Sequence, residues 1–437
     1  MTTVPTDGDP AIWVRRLQLT RAAQWFAGNH GDPYALILRA ETDDPTPYER
    51  QVATQPLFHS RQLETWVTGD AVLAREVLTD ARFGWLTRAG QRPAERDLPL
   101  AGTALDHGPE ARRRLDALAG FGGPVLRTDA AGVRDRTEET GVALLDGLGE
   151  RFDLAVFARR LIASVLADLL GVPAARRDDF AVALAAAGRT LDSRLCPQTV
   201  ANALALVVAT AELTDLLGEV PTPPLPVRAG TAVPPPPPVG RVSADDRTAA
   251  ALALAVGVAE PATTLLCNAA RTLLDRPGRW ALLRGDADRS AAVVEETLRC
   301  RPPVRLESRV AQQDVTLAGQ FLPADSHLVV LVAMANRAAT VPPRDRFDPD
   351  GPRLPEGDVV GLPQLAGTGA LIRIVVTAAL RILTGALPEL RPASGGVHWR
   401  RSPVLLGHAR FPVVRAGSGD HRSDDRPTAE ETARCAF

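Results

Sequence analysis

The chain reads as mainly α with small β-sheets, and three observations carry that reading. Helical apolar periods fill 133 to 218, with runs Phe157 to Leu170, Phe180 to Ala187 and Val200 to Leu217. A long apolar helix is expected from Asp245 to Leu274, opened by Ser243 as N-cap with Asp246 completing a capping box. In Ala291 to Pro349 the amphipathic run AAVVEETLRC leaves the helix at Arg301-Pro302-Pro303, because a proline ring pushes the residue before it out of the helical region. The alternating runs Val304 to Val310, Asp314 to Leu317 and His327 to Met334 follow, punctuated by Gly319 and Pro323, as in a small antiparallel sheet.

Taken from its start, the chain has a helical pattern over Ala11 to Phe26, with Trp13, Leu17, Trp25 and Phe26 available to one broad face. Those residues either cover the core of their own domain or offer a partner surface. Asn29 to Pro33 is a turn containing His30. A strand over Leu63 to Val67 precedes a helix over Ala71 to Thr79 and the tetrapeptide Asp80-Ala81-Arg82-Phe83. The proline-rich PTPPLPVRAGTAVPPPPPV, 221 to 239, cannot be a helix interior and suits a polyproline II loop that spaces two helices. A last long helix is expected over Ala370 to Leu387, ended by Pro388. One domain is expected over 11–415, with disordered tails at 1–10 and 416–437.

Composition excludes several functions. The 437 residues, 45% hydrophobic, can bury one large core or two modest ones. Fifty basic residues against 52 acidic ones leave a formal charge of -2, so no global field draws nucleic acid or an anionic membrane, and neither is expected as a partner. Cys196, Cys267, Cys300 and Cys435 are scattered, with no metal-ligand spacing, and read as incidental thiols in a reducing compartment; no metal is expected. The start MTTVPTDGDP has no basic n-region or apolar h-region, and no run reads as a membrane span. A cytoplasmic location is expected.

Glu296 and Arg299 stand three apart and share a helix face, and with Arg346 they can form a bidentate network that pins the helix to a distant loop. The order E-x-x-R, sheet, then Ala335-Asn336-Arg337 and Arg346-Phe347-Asp348-Pro349, together with the earlier strand, helix and "DARF", resembles the cytochrome P-450 superfamily. The resemblance implies that fold, with Glu296, Arg299 and Arg346 as its Glu/Arg/Arg structural triad beneath the heme. It also exposes three departures. The family's axial cysteine position falls near Ala366, after Gly361, and no cysteine occurs between Cys300 and Cys435. The histidine and arginine that hold a heme propionate fall on Ala111 and Leu115. In the central helix, Gly257 to Ala262 keeps the acid as Glu260 but puts Pro261 and Ala262 at the oxygen-handling threonine positions, and the proline is expected to kink the helix. No heme is therefore expected.

An empty void of roughly 500 Å³ would cost about 12 kcal/mol, comparable to the stability of a whole domain, so the site must be collapsed, wet or filled. Leu362, Leu365, Leu371, Ile372 and Ile374 are the candidates for filling it. A P-450 pattern without its cysteine, with "RRLQLTRAAQWFAGNHGDPY" early and "RRSPVLLGHARFPV" late, resembles the P-450-like auxiliary proteins that activate deoxysugar glycosyltransferases in macrolide and anthracycline biosynthesis. The resemblance implies a non-enzymatic partner of a glycosyltransferase that uses a TDP-deoxysugar, in a hetero-oligomeric complex, with Trp13, Leu17, Trp25 and Phe26 as the candidate docking face. This chain has no nucleotide-binding glycine loop of its own. Two alternatives stay open: a heme monooxygenase ligated by His30, His398 or Cys300, and a heme-free protein that binds a polyketide aglycone.

Overall fold

Aspartates set where several helices begin. In the computed structural model, which describes residues 10–39, 45–85, 87–88, 130–196, 198–220, 244–276, 278–339, 346–351, 361–362 and 368–415, helix α1 (Pro10–Asn29) turns at Gly31 into α2 (Pro33–Leu38). Asp32 caps α2 by accepting from the Ala35 amide at 3.0 Å. After α3 (Thr46–Val52) the chain forms β1 (Phe58–Ser60) and β2 (Thr65–Thr68). Asp70 then accepts from the amides of Val72 and Leu73 and starts α4 (Ala71–Thr79), which leads to β3 (Phe83–Gly84). Past residue 129 come α5 (Ala130–Asp146) and β4 (Arg151–Asp153), whose last residue caps α6 (Leu154–Leu169). Helices α7 (Arg177–Ala186), α8 (Thr190–Leu195) and α9 (Val200–Gly218) complete this half.

The second half is built on α10 (Ala244–Leu274), which stays helical through Pro261. It is followed by α11 (Arg279–Leu283), α12 (Ala287–Cys300), β5 (Leu306–Ala311), β6 (Val315–Leu317), β7 (Gln320–Leu322) and β8 (His327–Leu331). Then come α13 (Val332–Ala338), α14 (Thr368–Ala386), β9 (Leu390–Pro392), β10 (His398–Trp399), β11 (His408–Arg410) and β12 (Pro412–Arg415). The largest core surrounds α10, whose Leu265 and Leu266 are buried with Leu161 and Ile162 of α6 and with Leu371, Ile372 and Leu380 of α14. Burial of this kind is the main favourable term in folding.

The antiparallel pairing expected of the runs after Arg301 is present, β5 with β8 in the register Leu306↔Leu331 and β6 with β7. The former pair lies within a larger mixed sheet, in the order β1-β2-β8-β5-β3, with β2 and β8 parallel in the register Thr65↔His327. One expectation about these strands is corrected. The run read as a strand to Met334 stops at Leu331, and Val332 to Ala338 is helical; an uninterrupted apolar run does not by itself distinguish strand from buried helix. A second correction concerns length. Val200–Gly218, Thr248–Leu274 and Thr368–Ala386 are each long and apolar enough to cross a membrane, and 39%, 72% and 56% of their apolar windows are buried within the fold. The 221–239 loop, Ala111, Leu115, Leu365, Ala366, Ser243 and Cys435 lie outside the described residues.

Of the filling candidates, Leu371 and Ile372 are fully buried, whereas Leu362 and Ile374 are partly buried at the edge of the same core. Replacing Ile372 with alanine is expected to cost roughly 2–5 kcal/mol. Ile374→Ala should cost clearly less, and urea unfolding of the two variants checks the difference.

Candidate functional site

Three places decide what the chain can do: the end of α12, the middle of α10, and the outer face of α1. At the first, Arg299 and Glu296 have side chains only 2% and 8% exposed. Arg299 Nε donates to Glu296 Oε2 at 2.8 Å and Nη2 to Oε1 at 2.7 Å, a bidentate pair. Nη2 also donates to the Arg346 carbonyl at 2.9 Å, and the Asp348 amide donates to Glu296 Oε1 at 2.8 Å. Arg346 therefore joins the network through its backbone, and its side chain is exposed. Asn336 donates to the Leu298 carbonyl at 3.0 Å and Asn268 to the Arg301 carbonyl at 3.2 Å, so two further helices hold the same helix end. Gly361 lies against it too, with φ +114 and a place for Cβ only 2.7 Å from Pro302, so only glycine fits there.

In the middle of α10, Glu260 is buried and its Oε2 accepts from Arg400 Nη1. A Cβ on Gly188 would stand 2.7 Å from Glu260 Oε1, which is why the turn after α7 can lie over the acid. The same C-terminal segment is tied down at further points. Asp192 of α8 accepts from Ser402 Oγ and from the Val404 amide, and Arg189 donates to the Arg401 carbonyl. The Arg305 amide donates to the Val404 carbonyl at 2.7 Å, and Val304 bridges to Leu405. Burial raises the Asp192 carboxyl above its ordinary range, opposed by the Ser402 hydrogen bond. Ala262 is fully buried in the core, and Pro261 puts no hydroxyl beside Glu260.

Among the described residues, the contacts between α10 and α14 do not fit a heme. A methyl added to Gly257 would sit 3.5 Å from Thr368 Cγ2, so α10 and the first residue of α14 already touch there with no layer between them. Burial first, then neighbouring Glu296, pushes the Cys300 thiol up to about 12, and burial pushes Cys267 up to about 12, so both are neutral thiols at pH 7. His30 is exposed at the end of α1 with Nδ1 2.8 Å from the Phe26 carbonyl, and His398 is exposed on β10. Glu260 is occupied by Arg400.

One buried group was not singled out from the sequence. The His408 ring is stacked between Trp399 at 4.4 Å and Phe411 at 5.2 Å, and both buried nitrogens lack a hydrogen-bond partner. Burial, assisted by Arg271, Arg301 and Arg159, pulls it down to about 3, so it stays neutral. The run Gly407-His408-Ala409-Arg410-Phe411 carries no spacing that would have revealed this sandwich.

On α1, Leu17 is buried, whereas Trp25 and Phe26 are 49% and 60% exposed, and the Trp13 side chain lies outside the described residues. The four were expected on one face. Nine residues separate Leu17 from Phe26, which at 3.6 per turn is half a turn out of phase, so the two point oppositely. Arg39 lies 4.0 Å over the Trp25 ring and fixes that side chain beside the stripe occupied by Phe26.

The comparisons with known proteins agree with this frame. The family model "Cytochrome P450" matches residues 290–351, the segment that contains the Glu296 and Arg299 network. Protein TylM3 of Streptomyces fradiae is 46% identical over 419 residues, covering 92% of this chain and 92% of its own length. Protein AknT of Streptomyces galilaeus is 37% identical over 433 residues, with 92% and 95% covered. Among solved structures, ligand-free CYP164A2 of Mycobacterium smegmatis superposes with a TM-score of 0.70 at 24% identity, over 87% of this chain and 99% of that one, a likeness of fold.

Two outcomes test the site. Glu296→Ala leaves Arg299 buried without its carboxylate and should destabilise the protein by roughly 3–5 kcal/mol in urea unfolding. His408 takes a proton in the unfolded chain below its ordinary 6.5 but in the folded chain only near 3, so stability is full above 6.5 and is lost as pH falls through that window. His408→Phe should flatten the fall in unfolding free energy between pH 7 and pH 5.

Proposed function

Because the chain belongs to the P-450-like auxiliary proteins of the cytochrome P450 superfamily, we propose that it is a non-catalytic helper that binds and activates a glycosyltransferase of macrolide or anthracycline antibiotic biosynthesis. The partner uses a TDP-activated deoxysugar and forms a hetero-oligomeric complex with this chain in the cytoplasm. The helper binds no heme. The observation that carries this reading is the Glu260–Arg400 pair. It commits Glu260, the acid in the middle of the central helix, to closing the structure, while the Glu296 and Arg299 network that holds the scaffold is intact. What remains at the middle of α10, among the described residues, is an acid committed to a structural pair.

A helper of this kind works only by binding the competent transferase better than the incompetent one. To carry a transferase from 1:99 to 99:1 in favour of the competent form, the preference must be about 10,000-fold. Sugar and nucleotide are bound by the transferase, in keeping with the missing glycine loop in this chain.

The test has two readouts on one preparation. The chain is purified from heme-supplemented cells for an absorbance spectrum, and each deoxysugar glycosyltransferase of the source genome is co-expressed with and without it. No Soret band is expected, together with about a tenfold or greater rise in sugar transfer for one transferase. Stoichiometric heme, or equal transfer with and without the chain, would overturn the proposal.

A further inference from the structure

Two neighbouring helices leave apolar rows facing outward. On α1, Leu19, Ala22, Ala23 and Phe26 are exposed at the spacing i, i+3, i+4, i+7, with Leu19 and Phe26 59% and 60% exposed, and exposed Arg15 continues the row one turn back. On α9, Ala201, Leu204, Ala205 and Val208 repeat the same spacing, Leu204 and Val208 being 41% and 45% exposed, and exposed Glu212 and Asp215 continue it forward. The two helices touch. The α8 segment that leads into α9 shares a core with α2, through Leu191, Leu195, Tyr34 and Ile37, which fixes the first turns of α9 to the α1–α2 unit.

Resting on the helper reading above, we infer that these paired rows are the seat for an amphipathic helical segment of the glycosyltransferase. That segment is apolar along its centre, acidic where it meets Arg15 and basic where it meets Glu212 and Asp215. The α1 row sets Leu19 and Phe26 at either end of Ala22 and Ala23, and the α9 row alternates Ala201 and Ala205 with Leu204 and Val208. Small residues at these positions let a second helix approach to a backbone separation of about 8–10 Å, with bulky side chains entering the grooves between. A lipid surface fits less well. Interfacial helices carry cations along the polar flank, whereas the α9 row runs into two carboxylates that anionic headgroups would repel.

The test uses the full chain with the transferase it activates. Phe26→Glu and Val208→Glu each place a charge in a row, and Leu282→Glu does so on α11, where Leu282 is 62% exposed outside both rows. Capture of the co-expressed, tagged transferase should fall about tenfold or more for the first two and stay unchanged for Leu282→Glu. Arg15→Glu should weaken capture about threefold at low salt, less at high salt. Unchanged unfolding midpoints show that the variants are folded; at any position where the midpoint drops, Phe26→Ala or Val208→Ala replaces the charged variant. If both rows bear charge and capture is undiminished while the wild-type chain still activates, this surface is wrong and the helper reading stands. If the wild-type chain captures no transferase, the helper reading fails and this inference with it. Wild-type protein that sediments with phosphatidylcholine/phosphatidylglycerol vesicles, lost in both variants, would assign the rows to membrane and overturn the inference.

Discussion

A guanidinium that is fully inside a protein has to be answered on every side, and Arg299 is answered by the Glu296 carboxylate and the Cys300 thiol of its own helix and by the Arg346 carbonyl 47 residues later. Removing water from an ion pair costs several kcal/mol per charge, which is recovered only when geometry and further hydrogen bonds are good. Here the Glu296 carboxylate also receives the Asp348 amide, so the pair is complete only when α12 and the 346–348 loop are both in place. The helix end fixed in this way supports the start of β5 and the cradle around Gly361, and through Asn268 it is referenced to α10.

The middle of α10 shows the opposite use of a buried charge. Glu260 sits where a catalytic acid would need freedom to exchange protons with solvent, yet it is paired with Arg400 and overlain by the turn at Gly188. Around it, Asp192, Ser402, Arg189 and the Val304–Leu405 bridge fasten the C-terminal segment to three other parts of the fold. A network of that density favours one arrangement over many. A protein whose task is to present a surface benefits from such rigidity, because a docking face that is already ordered costs its partner less to bind.

Local signals were legible in the sequence and long-range pairings were not. Helix α4 falls at Ala71 to Thr79 as read, since apolar period and cap residue both act within a few positions. The Glu296 and Arg299 face was visible from their spacing of three. That the loop would contribute the Arg346 carbonyl, with the guanidinium outside, depends on how the chain turns after α13, and no periodicity encodes that. The parallel pairing of β2 with β8 joins residues 262 apart, and the neutral His408 sandwich arises only when β10 and β11 meet. Of the expected docking residues, Phe26 and Leu17 could have been separated by counting turns, whereas the apolar row on α9 gained meaning only from lying beside α1.

The Glu260–Arg400 contact spans 140 residues, and that span orders events during synthesis. A ribosome releases the chain from its N-terminus, so α10 has emerged long before its counter-ion exists. Until then Glu260 stays hydrated and the centre of the molecule cannot close dry around it, because an unpaired carboxylate resists burial. Arrival of residues 398 to 410 supplies the charge, the Gly407 carbonyl that receives the Arg400 amide, and both strands of the β10–β11 hairpin together. The clasp thus ties burial of a charged group at the centre of the molecule to the last part of the chain to be made.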